Sequence, residues 1–157
     1  MHVIIETPRG STEKYDYDKD HNLFKLKKIL PSGMTFPYDF GFIPHTKGED
    51  GDPLDVIVIS EYQSFPGCLV ECRIIGAMTA KQSSAKKTIR NDRYFGVPVL
   101  STIFSHIKTV DDIPAVKLDE LQQFFVNYNK VEGKKFKPLK ILKPKEALAL
   151  IKQQKDG

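Results

Sequence analysis

Three aspartates fall within six residues in the segment Asp50-Gly51-Asp52-Pro53-Leu54-Asp55. Gly51 and Pro53 are turn formers, so the backbone carrying the carboxylates is itself specified. Carboxylates held this close repel one another unless a cation sits among them. They are hard oxygen donors, and Mg²⁺ accepts such donors while keeping several of its own waters. Metal held in this way activates water and neutralises a transferring phosphoryl group. The segment is not an EF-hand loop, because no glycine occupies its sixth position. The plain alternative is a solvated acidic turn, which is common on protein surfaces.

The elements around this turn must position it. Val3 to Thr7 is a short apolar run closed by Pro8 and Gly10. Tyr15 to Asp18 alternates aromatic and acidic residues, the period of a half-buried strand. Asn22 to Leu30 alternates more loosely, and a loop rich in proline, glycine and aromatics is expected from Pro31 to Thr46. Asp55 to Ser60 is β-branched and apolar, which predicts a buried strand. Pro66-Gly67 predicts a turn. A strand follows with Cys68, Val70, Cys72, Ile74, Gly76 and Met78 on one face, and Tyr94 to Leu100 is another. The period then changes. Leu118, Leu121, Phe124, Phe125 and Tyr128 recur at helical spacing and Gly133 is a stop signal. Pro144 suits a first helical position, with Ala147, Leu148 and Ile151 as the apolar stripe of a second helix. Short strands followed by two helices predict a mainly β fold, a small closed barrel with C-terminal helices packed on it.

Composition sets the outer limits. A chain of 157 residues is expected to form one domain spanning 1–157. The net charge of +4 favours anionic ligands in general and demands neither nucleic acid nor membrane. No apolar run approaches the roughly 20 residues needed to span a bilayer, and the first residues lack the pattern of a signal peptide. Cys68 and Cys72, if on one strand, stand about 13 Å apart, too far for a disulfide. Reduced cysteines predict a cytoplasmic protein. His2, His21, His45 and His106 show no metal-ligand spacing and receive no role.

The acidic turn is preceded by Pro37-Tyr38-Asp39-Phe40-Gly41-Phe42-Ile43-Pro44-His45-Thr46, and further upstream by Glu6-Thr7-Pro8 and Lys14-Tyr15-Asp16. Downstream stand Gly96-Val97-Pro98, Phe124-Phe125 to Tyr128, and Glu132-Gly133-Lys134. In order and spacing these resemble the family I soluble inorganic pyrophosphatases over most of the chain. Glu49 to Val56 is the most specific part. The resemblance implies an oligonucleotide-binding-type five-stranded barrel with flanking helices, and hydrolysis of pyrophosphate to phosphate with Mg²⁺. It implies Asp50, Asp55, Glu6 and Asp16 as metal ligands and Asp52 as the base that takes a proton from metal-bound water. It implies Lys14, Lys28, Arg93 and Tyr128 as phosphate-binding residues. Without it, Glu6 reads as an edge-strand surface carboxylate, Lys14 as a solvated lysine, and Tyr128 as a core aromatic. Family members are commonly homo-oligomers, so an assembly of copies is expected, with pyrophosphate or a related small phosphoanhydride as substrate.

The chain departs from that pattern. Asp16 stands for glutamate, Lys28 for arginine, Phe36 and Phe40 for tyrosines, Arg93 for lysine, and Asn129 for the lysine after the helical tyrosine. Between Gly76 and Gly96, where acidic residues complete the metal sites, this chain has Lys81-Gln82-Ser83-Ser84-Ala85-Lys86-Lys87. The expected aspartates fall at Lys86 and Asn91, with Asp92 adjacent. A slip of one residue on a strand moves a side chain to the other face. The expectation is that Lys86 and its neighbours face the site and metal occupancy is weakened. The competing reading is a non-catalytic phosphate- or nucleic-acid-binding barrel, using Lys81, Lys86, Lys87, Arg90 and Arg93 beside Tyr94 and Phe95. The acidic turn argues against nucleic acid, because carboxylates in a groove repel a polyanion.

Overall fold

The computed structural model describes residues 1–155 of the chain. Nine strands and two helices follow in the order β1 (His2–Thr7), β2 (Glu13–Asp18), β3 (Leu23–Ile29), β4 (Asp39–Ile43), β5 (Leu54–Val58), β6 (Leu69–Ser83), β7 (Thr88–Arg90), β8 (Arg93–Pro98), α1 (Ala115–Val131), β9 (Lys135–Leu142) and α2 (Pro144–Gln153). A short 3-10 turn, Val110–Asp112, precedes α1. No helix among these is long and apolar enough to cross a membrane.

Five strands form a closed ring. β1 pairs with β4, β4 with β5, β5 with β8, β8 with β6, and β6 returns to β1. Closure removes the free edges that an open sheet of this size exposes. The fold is therefore mainly β with two helices, an OB-like ring, as the sequence predicts. β2 and β3 form a separate two-stranded hairpin.

Alternation sorts the core into two clusters. Val3, Ile5, Val56, Val58, Val70, Cys72, Ile74 and Tyr94 join Ala147 and Ile151 of α2. The opposite faces of the same strands, with Ile57, Ile59, Ile75, Phe95 and Val97, join Leu121 and Phe125 of α1 and Phe136 of β9. Leu148, expected in the α2 stripe, is instead 43% exposed, and only Ala147 and Ile151 are buried on that helix. Helix α1 ends as predicted at Gly133. Its N–H donates to Lys130 and that of Lys134 donates to Asn129, the paired closing bonds that a left-handed glycine permits.

Three strands escaped the sequence reading, β4, the short β7 and β9. β4 lies inside the expected 31–46 loop, where Pro37, Gly41 and Pro44 disguise five fully buried residues. Gly41 is needed there, since a Cβ would come within 2.3 Å of the Ile4 carbonyl on β1. β9 contains Pro138, which reads as a breaker but is tolerated where a strand lies at an edge.

The long strand β6 serves several partners because it bends. Its register against β8 shifts between Ile74 and Gly76, and against β9 between Met78 and Ala80. The first bulge moves Met78 off the face of Val70 and Cys72 and into the α1 cluster, correcting the single-face expectation. Gly76 adopts φ +156°, and a Cβ there would meet the Leu142 carbonyl at 2.6 Å and Val110 Cβ at 2.9 Å. Gly76→Ala is expected to destabilise the fold by about 2–4 kcal/mol in chemical denaturation. Leu148→Lys, on the exposed side of α2, is expected to stay within about 0.5 kcal/mol of the parent.

Candidate active site

The same alternation that buries Ile57 and Phe95 beneath α1 places Asp55 and Arg93 two residues earlier on the same face. The two are register partners across the parallel β5–β8 pair. Arg93 Nη1 lies 2.9 Å from Asp55 Oδ2. Here a cavity of about 940 Å³ opens between the ring, the β2–β3 hairpin and the end of α1. Glu6, Lys14, Asp16, Asp50, Asp52, Asp55, Arg93 and Tyr128 all line it.

The acidic turn is built from its own backbone. Gly51 adopts φ +86°, which favours glycine. Asp50 Oδ1 accepts the Asp52 N–H at 3.0 Å, and the Gly48 N–H donates to the Asp52 carbonyl. Thr46 pins the base of the loop, donating to the Ile43 carbonyl and accepting the Leu54 N–H. Glu49 accepts the Arg90 N–H at 2.6 Å, tying the loop to β7. Asp50 and Asp52 are exposed at the cavity mouth, whereas Asp55 is half-buried.

The hairpin supplies the facing charges. Lys14 is 7% exposed, and its ammonium sits 3.1 Å from Glu6 and 2.6 Å from Asp16. It also lies 5.0 Å from the centre of the Phe40 ring, where a phenol was expected from the resemblance. An aromatic face attracts a cation without a hydroxyl. Arg93 is similarly placed 5.0 Å from Phe125 and 5.3 Å from Phe136.

Several expected positions move by one residue. Lys28 does not line the cavity and Lys27 does, 2.6 Å from Asp16. The β2–β3 ladder skips a residue here, with Lys14 opposite Lys28 but Tyr15 opposite Leu26. That bulge turns Lys27 inward. Lys28 instead lies 4.1 Å over the Tyr128 ring and pairs with Glu132. Lys86 likewise falls in the Ser84–Lys87 turn off the cavity wall, and Lys87 takes the lining position. Asn91 lines the cavity but Asp92 does not. The Asp92 carboxylate accepts the Ala80 N–H and pairs with Arg90 on the opposite face, so it does not replace the missing acid. Asn129 is buried, donating to the Phe125 carbonyl within its own helix, while Lys134 lines the cavity. Tyr94 and Phe95 are fully buried, which removes the stacking surface that the nucleic-acid reading required. Lys19, Lys27 and Lys134 line the cavity without having been given a role by sequence reasoning, and so does His45, which that reasoning set aside. Adjacent lysines at 27 and 28 were a signal, but not of which one faces in.

The electrostatics follow from crowding. Burial raises the Asp55 carboxyl to about 7, and Glu6 and Asp50 push the same way against the pull of Arg93. Burial also raises Glu6, with Lys14 opposing, and raises Asp50. Burial disfavours the charge on Asp16 too, but Lys14 and Lys27 outweigh it and hold that carboxyl low. The Tyr128 phenol is raised by burial and by Asp16, so it stays a neutral hydrogen-bond donor. Lys28 falls to about 8 through burial and the neighbouring Lys27 and Lys14.

These shifts give stability a pH dependence. A carboxyl whose folded pKa lies above its unfolded value binds more protons when folded, so stability falls as pH rises through that interval. For Asp55 the interval runs from 3.8 to about 7. In chelator, the melting temperature of the parent is expected to fall between pH 5 and pH 7.5. Asp55→Asn is expected to flatten that fall, and an unchanged slope in the variant would contradict the assigned desolvation.

Comparison with known proteins agrees with this arrangement. The family model described as inorganic pyrophosphatase matches residues 3–156. The inorganic pyrophosphatase of Synechocystis is 39% identical over 134 residues, 85% of this chain and 77% of that protein. That of Thermus thermophilus is 39% identical over 141 residues, 90% of this chain and 78% of that one. A crystal structure of inorganic pyrophosphatase from Thermus thermophilus superposes with a TM-score of 0.89 at 36% identity, covering 97% of this chain and 87% of that one. On its matched length, its identity to these relatives and its fold, the chain belongs to the inorganic pyrophosphatase family.

Proposed function

We propose that this chain hydrolyses inorganic pyrophosphate to two phosphates in the cavity between the acidic turn and the β2–β3 hairpin. The observation that carries this reading is one cavity lined by Asp50, Asp52 and Asp55 together with Lys14, Arg93 and Tyr128. The donor set fits Mg²⁺, because Asp50, Asp55, Glu6 and Asp16 are hard oxygen ligands around a space that also admits water. Among the described residues no three acidic, histidine or cysteine side chains stand together as a finished metal cluster. Lys14 and Arg93 are interleaved with the carboxylates instead. Mg²⁺ bound by these carboxylates supplies positive charge to phosphate oxygens and acidifies the attacking water.

The chain's own groups do the rest. Asp52, exposed at the cavity mouth, accepts a proton from the water as its oxygen attacks one phosphorus. Lys14, Lys27 and Arg93 meet the oxygens of the reacting and departing phosphates, and the Tyr128 hydroxyl donates to them. Such charge placement is usually the largest catalytic term. Lys28 acts on Tyr128, packing its ammonium on the ring and anchoring to Glu132. Pyrophosphate is the substrate we favour over other small phosphoanhydrides, on the strength of the named relatives. The chain acts as a single domain over 1–157, since both core clusters share the same ring strands. A cytoplasmic location is in keeping with the free thiols of Cys68 and Cys72. Association into homo-oligomers is in keeping with the exposed Leu23, Leu26 and Ile29 of β3.

Asp52→Asn keeps the shape of the turn and removes the base. Its turnover of pyrophosphate, followed by phosphate release in Mg²⁺, is expected to fall by about 10²–10⁴-fold, the usual contribution of a general base. Parent-like turnover in that variant would sink the assignment of Asp52. Chelation of divalent cations is expected to abolish turnover in the parent and to restore it on adding back Mg²⁺.

A further inference from the structure

The cavity has two unlike walls. Its carboxylates, Glu6, Asp16, Asp50, Asp52 and Asp55, come from the ring, the acidic turn and the β2–β3 hairpin. The wall formed by the β6–β7 hairpin and the approach to β8 presents Gln82, Ser84, Lys87, Ile89 and Asn91, and no carboxylate. The cations nearest the acids are already engaged. Lys14 pairs with Glu6 and Asp16, Lys27 with Asp16, and Arg93 with Asp55. Lys87 has no acidic partner among the described residues, and it sits on a backbone that is held in place. The Ser84 N–H donates to the Lys87 carbonyl at 2.9 Å, and the Ser83 and Thr88 hydroxyls meet at 2.9 Å. Arg90, three residues on, is tethered to Glu49 beside the acidic turn. The neutral part of this wall is arranged too, with the Asn91 amide donating to Gln82 and accepting from Arg93.

A substrate with a phosphate at each end carries charge at both. A wall without carboxylates holds no divalent cation of its own, so the phosphate turned towards it needs a protein cation. We infer that Lys87 is an anion-binding residue of this cavity. It holds the phosphate that points away from the acidic turn directly, so that metal is required on one side of the site only. This rests on the hydrolytic reading for the identity of the substrate, but not for the binding of phosphate itself.

The test is titration of the full-length chain with inorganic phosphate in chelator, read by phosphorus NMR or calorimetry. Lys87→Ala is expected to weaken binding about threefold and Lys87→Glu about fivefold, within the range for exposed charge pairs. Lys86→Ala, in the same turn but off the cavity wall, is expected to match the parent. The differences are expected to shrink at high salt, where exposed charges are screened. No measurable binding by the parent, or equal affinity in all four proteins, overturns the inference. Phosphate affinity that depends on Lys87 in a chain unable to hydrolyse pyrophosphate supports the anion site while removing the catalytic reading. Turnover of pyrophosphate with an affinity indifferent to Lys87 does the reverse.

Discussion

The pairing of Asp55 with Arg93 is the constraint around which the site is organised. Both side chains are drawn off water at the same rung of the parallel β5–β8 pair. Arg93 is 4% exposed and packed among aromatic rings. Its Nη1 is also satisfied by the Asn91 side chain and by the Asn91 and Asp92 carbonyls. Removing Asp55 leaves the Arg93 guanidinium a desolvated charge without its acidic partner, which is destabilising. The pair also fixes where the acidic turn ends, because Asp55 is both its last carboxylate and the second residue of β5. The ring therefore holds one edge of the turn rigid, while Asp50 and Asp52 project from the free edge.

The β2–β3 hairpin depends on the same economy of charge. Two strands alone are marginal in water, and this pair belongs to no larger sheet. It is fastened to the ring by Lys14 on Glu6 and by the two-way bond between Thr7 and Tyr15, and to α1 by Lys28 on Tyr128 and Glu132. Two of those fastenings use groups that also line the cavity. The charges that line the cavity thus assemble the wall that carries them, so the hairpin's seating and the shape of the cavity draw on one set of interactions.

Residue types were more legible than residue faces. The acidic turn, the α1 stripe, the Gly133 stop and the Pro144 start are all local patterns, and each appears where local chemistry puts it. β4 and β9 were hidden because Gly41, Pro37, Pro44 and Pro138 have loop propensities that a long-range pairing overrides. The placements of Lys28, Lys86 and Met78 all differ from expectation by slips of register. Lys27 and Met78 sit at bulges and Lys87 closes a tight turn. Bulges depend on which strand lies opposite, and one sequence read along its length contains no record of that.

Those irregularities are what make so dense a charge array possible. A regular strand gives a cavity every second residue only, which would space like and unlike charges about 7 Å apart along a strand. Here a turn delivers Asp50, Asp52 and Asp55 from one short segment, and a bulge adds Lys27 beside the Lys14–Asp16 pair. Opposite charges then come within 2.6–3.1 Å across the hairpin and ring. Asp92 shows the converse. It lies on the short connection between β7 and β8, next to two lining residues, and its carboxylate turns away from them to accept the Ala80 N–H and pair with Arg90. A carboxylate present in the sequence at the right place is thereby withheld from the cavity, and the wall it would have made acidic is left to Asn91 and Lys87.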